Sequence, residues 1–266
     1  MHSKSARWLA LPWIVSSLRA AAVLTTMTVI GARAEGLTVF QATLGETNQK
    51  TGEVSAEEVR RVLADGSAIV LDSRKKSEFS AGHIAGAVNV APGPDAPASA
   101  HVVSVERLVR GDKSRALVLY CNGQYCMQSR QLADQLVADG FTNVRRYQLG
   151  IPMWRTVGGL VEVELEGIAR IFQIDRTAVY LDARLPEEFT QASLPGAYNL
   201  PADAAGPNAL AKAPLPRNDF NTRIMLFGRD GAQARKLAEI FSKLPYQNVS
   251  YFPGTYSELS AALRGK

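Results

Sequence analysis

The sequence predicts an α/β fold built from two tandem units, each a mostly parallel sheet with helices on both faces. Three observations carry that expectation. Short apolar runs such as Leu117 to Tyr120 alternate with stretches of helical spacing such as Leu132, Ala133, Leu136 and Val137, the pattern of buried parallel strands between covering helices. The chain laid on itself matches at a period of about 110 residues, the size of a domain rather than of a solenoid repeat. Hydrophobic residues make up 46% of the 266 positions, enough for real cores.

Taken in order, residues 1–34 have the form of a secretory leader. Basic residues come first, Ala20 to Ile30 forms an 11-residue apolar core, and Ala32-Arg33-Ala34 fits a small-x-small cleavage site. The core is too short to span a bilayer well. The apolar run Trp8 to Val15 ahead of Arg19 makes the leader long, which leaves an uncleaved anchor as the alternative. Cleavage implies export to a bacterial periplasm, with no stable membrane span in what remains. The net charge of +5 fades with the leader. Lys4, Arg7, Arg19 and Arg33 all precede Glu35, leaving 26 basic against 25 acidic residues. That balance removes support for a nucleic-acid or membrane-surface role.

A first unit is expected over residues 36–157. Ser55-Ala56-Glu57-Glu58 reads as a capping box opening a helix to Leu63. A strand follows at Ala68 to Leu71, then the Pro-rich loop Ala91 to Pro97 and a helix from Val102 to Val109. The central strand Leu117 to Tyr120 leads through a cysteine loop into a helix from Ser129. A short strand at Val144 to Tyr147 and a segment around Trp154 close the unit. The join lies near Val157-Gly158-Gly159, and the second unit, 160–266, opens with a helix near Glu164 to Phe172.

The repeat is specific. Val70-Leu71-Asp72-Ser73-Arg74 matches Tyr180-Leu181-Asp182-Ala183-Arg184, and Glu78-Phe79 matches Glu188-Phe189. His83 to Val90 matches Ser193 to Leu200, with 17 residues from Asp to Asn in both copies. Leu117 to Tyr120 matches Ile224 to Phe227, and Gly140 to Val144 matches Pro245 to Val249. Gly228 then stands where the first copy has Cys121, so the second copy is expected to be inert. Its roles would be packing, shaping a cleft or binding a partner.

Cys121 sits at the C-terminal end of a strand, facing the start of a helix. Unpaired N–H groups and the helix dipole favour negative charge there, which lowers a thiol pKa and makes Cys121 the candidate nucleophile. The loop continues Asn122, Gly123, Gln124, Tyr125, Cys126, Met127, Gln128, followed by Ser129 and Arg130. It contains no Lys or Arg, so backbone N–H groups, with Arg130 just inside the helix, are left to hold an anion. If the flanks align without gaps, the loop is two residues longer than its second-copy counterpart. Cys126 lies five positions after Cys121 in a compartment where disulfides persist. An even cysteine count equally fits a structural disulfide. No metal site is expected, because His83 has no second ligand at metal spacing and His101 reads as a surface residue.

The Cys-led loop after an apolar strand, preceded by LDSR and GHIAGAVNV, resembles the rhodanese (sulfurtransferase) family. The resemblance covers nearly the whole chain after the leader, as two tandem rhodanese-like domains. It implies that Asp72, Arg74 and His83 give structural support around the site. It implies sulfur transfer from a small anionic donor, thiosulfate or another sulfane-sulfur compound, to a thiol or cyanide acceptor through a Cys121 persulfide, with no cofactor. Many thiosulfate-using relatives carry a basic residue in the loop, and its absence here places thiosulfate preference in question. Cys126 is then a candidate resolving thiol, whose attack on the persulfide would leave a disulfide for a periplasmic reductant to reopen. Two alternatives stand beside this reading. One is a non-enzymatic binding module with a Cys121–Cys126 disulfide. The other is a phosphatase or arsenate reductase of the same fold, disfavoured because Cys126 and Gln128 occupy the positions for a loop-ending arginine.

Overall fold

A computed structural model describes residues 37–91 and 100–264. The leader at 1–34 and nearly all of the Pro-rich loop at 91–97 lie outside the described residues. The first repeat runs β1 (Gly52–Glu53), α1 (Ala56–Asp65), β2 (Ile69–Asp72), α2 (Lys76–Ala81), β3 (His83–Ile84), β4 (Val88–Asn89), α3 (Ala100–Leu108), β5 (Leu117–Tyr120), α4 (Met127–Ala138), β6 (Val144–Tyr147) and α5 (Gly150–Thr156). The second runs β7 (Val161–Glu162), α6 (Leu165–Ile174), β8 (Val179–Asp182), α7 (Pro186–Gln191), β9 (Tyr198–Asn199), α8 (Pro207–Lys212), β10 (Ile224–Phe227), α9 (Gly231–Phe241), β11 (Val249–Tyr251) and α10 (Tyr256–Arg264).

Each repeat forms its own sheet. The first has the order β1-β6-β5-β2-β4, all pairs parallel, and the second repeats it as β7-β11-β10-β8-β9. The central strands show why their sequences are continuously apolar. Leu117 and Leu119 of β5 pack with Leu132, Leu136 and Phe141, while Val118 and Tyr120 pack with Val59, Ile84, Ile151 and Trp154. In β10, Ile224 and Leu226 face Leu237 and Phe241, while Met225 and Phe227 face Ile168 and Leu259. Neither face of these strands meets water, so alternation has no solvent side to mark. Each buried Leu or Phe contributes roughly 1.5–3 kcal/mol relative to exposure.

Helix α1 begins as its capping box dictates. Glu58 N donates to Ser55 Oγ at 3.2 Å, and Ser55 N donates to Glu58 Oε2 at 2.9 Å. It ends two residues beyond the expected Leu63, where Gly66 takes the left-handed conformation at φ 66°. Helix α4 starts at Met127 rather than Ser129, and α3 at Ala100 rather than Val102. His101, expected at the surface, is half-buried on α3, and burial lowers its pKa.

The two repeats are not separable at the join. Strand β3 of the first repeat pairs antiparallel with β7 of the second, His83 against Glu162 and Ile84 against Val161, extending the second sheet to six strands. Lys76 Nζ lies 2.6 Å from Glu164 Oε1, and Ser80 Oγ donates to Glu164 Oε2 at 2.5 Å. Gly167 of α6 packs so tightly on Ser80 that an added Cβ would fall 1.8 Å from the Ser80 carbonyl oxygen. Among the described residues, no helix is long and apolar enough to cross a membrane.

Candidate functional site

Parallel strands deliver their C-terminal ends to one edge of the sheet, and the candidate site lies there. Tyr120 is in register with Asp72 on one side and Tyr147 on the other. The next residues along, Ser73, Cys121 and Gln148, therefore stand side by side at that edge. Ser73 ties the edge by donating both its N–H and its Oγ–H to Tyr120 O, at 3.1 and 2.9 Å. Cys121 is 1% exposed. The connection to α4 spans residues 121–126, against 228–230 in the second repeat, a difference of three residues rather than the two the aligned flanks suggest.

Several contacts hold this loop. Asn122 Nδ2 donates to Glu78 Oε1 at 2.6 Å, and Ile151 N donates to Cys121 O at 3.1 Å. Gly123 adopts φ 95°, and Gly150 adopts φ 63° at the start of α5. A Cβ on Gly150 would lie 2.3 Å from Cys121 O and 2.4 Å from Gly123 N, so only glycine lets α5 approach. Cys126 N donates to Gly123 O at 3.0 Å, while the amides of residues 122–125 have no acceptor among the described residues. Those free donors fit an anion cradle.

Cys121 and Cys126 are joined by a disulfide, with Cα atoms 6.1 Å apart. The pairing is one of the outcomes the sequence left open, and the Cys121 thiolate is not the form shown. Gln128 Oε1 lies 3.6 Å from Cys121 Sγ and 3.8 Å from Cys126 Sγ, a contact that becomes a hydrogen bond only when a thiol proton is present. Tyr125 and Met127 project into solvent, 90% and 50% exposed. Ser129 is buried in the first turn of α4. Arg130, expected to help hold an anion, instead donates from Nη2 to Asn48 O at 3.0 Å. That bond ties the start of α4 to the segment before β1.

Asp72, Arg74 and His83 form the scaffold behind the loop. Asp72 is fully buried and receives Arg74 Nε at 3.0 Å, Arg74 Nη2 at 2.6 Å and the Arg74 amide at 2.8 Å. Tyr120 Oη donates to Asp72 Oδ2 at 2.5 Å and accepts from Ile84 N at 3.0 Å. Burial, and then the Asp72 charge, push the Tyr120 hydroxyl well above its usual pKa, so it stays a donor. His83 stacks on Phe79 at 3.6 Å, and its Nε2 lies 3.4 Å from Glu162 Oε2. It therefore clamps the second repeat. Among the described residues, no cluster of His, Cys, Asp or Glu could hold a metal ion.

The second repeat keeps the scaffold and closes the site. Asp182 and Arg184 repeat the ion pair, with Ser193 Oγ on Asp182 Oδ2 in place of the tyrosine. Gly228 occupies the Cys121 position. Asp230 caps α9 by accepting from Gln233 N at 2.9 Å, and Gln233 Oε1 accepts from Arg229 N at 2.8 Å. Two amides there, Arg229 N in the loop and Gln233 N in the first turn of α9, are thus taken by side chains of the second repeat itself.

Sequence reading missed Glu78, Gln148 and Gly150. A signal for Gly150 was present, since Tyr147-Gln148-Leu149-Gly150 parallels Tyr251-Phe252-Pro253-Gly254 across the repeat. Glu78 was visible only as a matched residue, with nothing to show that it reaches Asn122.

A family model described as the rhodanese-like domain matches the chain twice, over residues 55–156 and 170–262. The chain belongs to the rhodanese-like family. Over 99 residues the chain is 26% identical to a Schizosaccharomyces pombe protein named "Putative thiosulfate sulfurtransferase, mitochondrial", covering 35% of this chain and 70% of that one. Over 103 residues it is 34% identical to an HTH-type transcriptional regulator of Mycobacterium tuberculosis, covering 39% of this chain and 41% of the regulator. Among solved structures, a thiosulfate sulfurtransferase from Pseudomonas aeruginosa is similar at 23% identity and a TM-score of 0.35, covering 77% of this chain and 43% of that one. An Anabaena rhodanese-like domain is similar at 26% identity and a TM-score of 0.33, covering 40% and 75%. The rhodanese-like chain thus spans less than half the length of the regulator and of the Pseudomonas enzyme.

Proposed function

We propose that the first rhodanese-like domain is a sulfurtransferase acting through Cys121, and that the second is catalytically inert. One observation carries this reading: Cys121 follows β5 and opens a six-residue loop whose amides at 122–125 have no acceptor among the described residues, while the matching position is Gly228, in a three-residue loop where Gln233 takes the Arg229 amide and Asp230 caps α9. In the reduced form, Cys121 thiolate attacks the outer sulfur of a sulfane donor such as thiosulfate. The sulfur–sulfur bond of the donor breaks, sulfite leaves with the electron pair, and Cys121 holds a persulfide. Loop N–H groups stabilise the negative charge on the terminal sulfur. A thiolate or cyanide acceptor then attacks that sulfur and returns Cys121 thiolate. The test is intact-mass measurement of the reduced protein before and after thiosulfate. A gain of one sulfur atom located on Cys121 is expected, and no gain with any sulfane donor overturns the reading.

The disulfide favours a second reading, a binding module without sulfur transfer, which the same measurement decides. The disulfide also accords with export, because such bonds persist outside the reducing cytosol. Cleavage after Ala34 is part of the proposal. N-terminal sequencing of exported protein is expected to begin at Glu35, and a membrane-held chain retaining Trp8 would contradict it.

A further inference from the structure

The two sulfurs of the Cys121–Cys126 bond differ in what can reach them. Cys121 is 1% exposed, enclosed by the strand edge and by α5 approaching through Gly150. Cys126 is partly exposed and lies between Tyr125 and Met127, the most exposed large apolar residues near the site at 90% and 50%. No charged residue occurs from Cys121 to Gln128. A nucleophile entering thiol–disulfide exchange must approach the sulfur it attacks along the axis of the bond, so access selects the sulfur. Of the two cysteines Cys126 is the one open to solvent, which makes Cys121 the leaving group.

We propose that this loop is the docking surface of a dithiol protein reductant, and that the reductant attacks Cys126. The reductant's thiolate bonds to Cys126 Sγ, the Cys121–Cys126 bond breaks, and Cys121 leaves with the electron pair as a thiolate. The reductant's second thiol then attacks its own sulfur in the mixed disulfide. That step forms the reductant's internal disulfide and releases Cys126, which takes up the proton. Two electrons pass from the dithiol to the cysteine pair. The amides of residues 122–125, which have no acceptor among the described residues, belong to the same loop, and donors of that kind favour release of Cys121 as an anion. Tyr125 and Met127 supply the contact, an aromatic and a flexible thioether of the kind enriched at protein interfaces. An uncharged loop selects a partner whose active-site surroundings are apolar rather than acidic or basic.

This inference extends the proposed function, since it describes how Cys121 becomes available, but its test reads disulfide chemistry alone. The oxidised protein is mixed with a thioredoxin-type reductant whose resolving cysteine has been replaced by serine, and the freed thiol is alkylated. The peptide 116–130 is then fragmented to locate the mixed disulfide. The reductant is expected on Cys126 and the alkyl group on Cys121, and the reverse arrangement overturns the proposal. In a second arm, the doubly substituted Tyr125→Ser, Met127→Ser protein is reduced by the intact dithiol protein and by dithiothreitol. Reduction by the protein is expected to slow at least tenfold while dithiothreitol reduces both proteins alike. Equal rates with the protein reductant would show that these residues form no docking surface. A Cys126 adduct without any persulfide would sink the sulfurtransferase reading and leave this one standing.

Discussion

Cys121→Ser is expected to reduce sulfurtransferase activity to below about one-thousandth of that of the reduced wild type, the scale of loss when a covalent nucleophile is removed. A serine hydroxyl does not ionise near neutral pH and cannot hold a sulfane sulfur as a persulfide. The chain has two cysteines, and the other, Cys126, lies at the N-cap of α4 rather than at the end of β5. The assay is thiocyanate formation from thiosulfate and cyanide after reduction. Residual activity above a few per cent would show that Cys126 or another group carries the sulfur. Adding Gly228→Cys to that variant is not expected to restore activity. A Cβ at Gly228 would meet Ala234 N at 3.0 Å, Gln233 Oε1 at 3.1 Å and Asp230 O at 3.2 Å. The Asp230 carboxylate already occupies the start of α9 and would oppose both a thiolate and an anionic donor.

What the sequence revealed and what it hid divide by range along the chain. The Asp72–Arg74 pair is two residues apart and is repeated at Asp182–Arg184, so the pair was legible as a motif, and the family resemblance implied its structural role. The β5 and β10 runs were legible because burial on both faces leaves four consecutive apolar residues. The capping box of α1 is read from adjacent residues. The pairing of β3 with β7 was not legible, since two residues of the first repeat complete the sheet of the second without any periodicity. The same holds for Arg130, whose position in the helix was clear while its acceptor, Asn48 O, is 82 residues away. The disulfide was legible as one of several outcomes, because five-residue spacing permits the pairing and the fold decides it. The difference in exposure between its two sulfurs comes from the packing of α5 on the loop, which the sequence does not show.

Asp72→Ala is expected to destabilise the folded protein by about 3–5 kcal/mol, the scale of breaking one partner of a buried ion pair. Asp72 is fully buried, and the Arg74 side chain is only 6% exposed. Among the described residues, removing the carboxylate leaves the Arg74 side chain with Gly82 O, at 2.8 Å, as its remaining acceptor, and leaves the Tyr120 hydroxyl without one. The guanidinium cannot escape by losing its proton, because its pKa is already far above neutrality. Nor can it lean on Arg155. Burial lowers that neighbour to a pKa of about 10, with Arg74 and Arg223 as like charges adding to the shift. Urea denaturation of Asp72→Ala measures the cost directly. The double variant Asp72→Ala, Arg74→Met is expected to be more stable than Asp72→Ala alone, because it removes the stranded cation along with its partner. If the single variant loses less than about 1 kcal/mol, Arg74 reaches solvent at little cost and the pair is not what holds the strand ends behind Cys121.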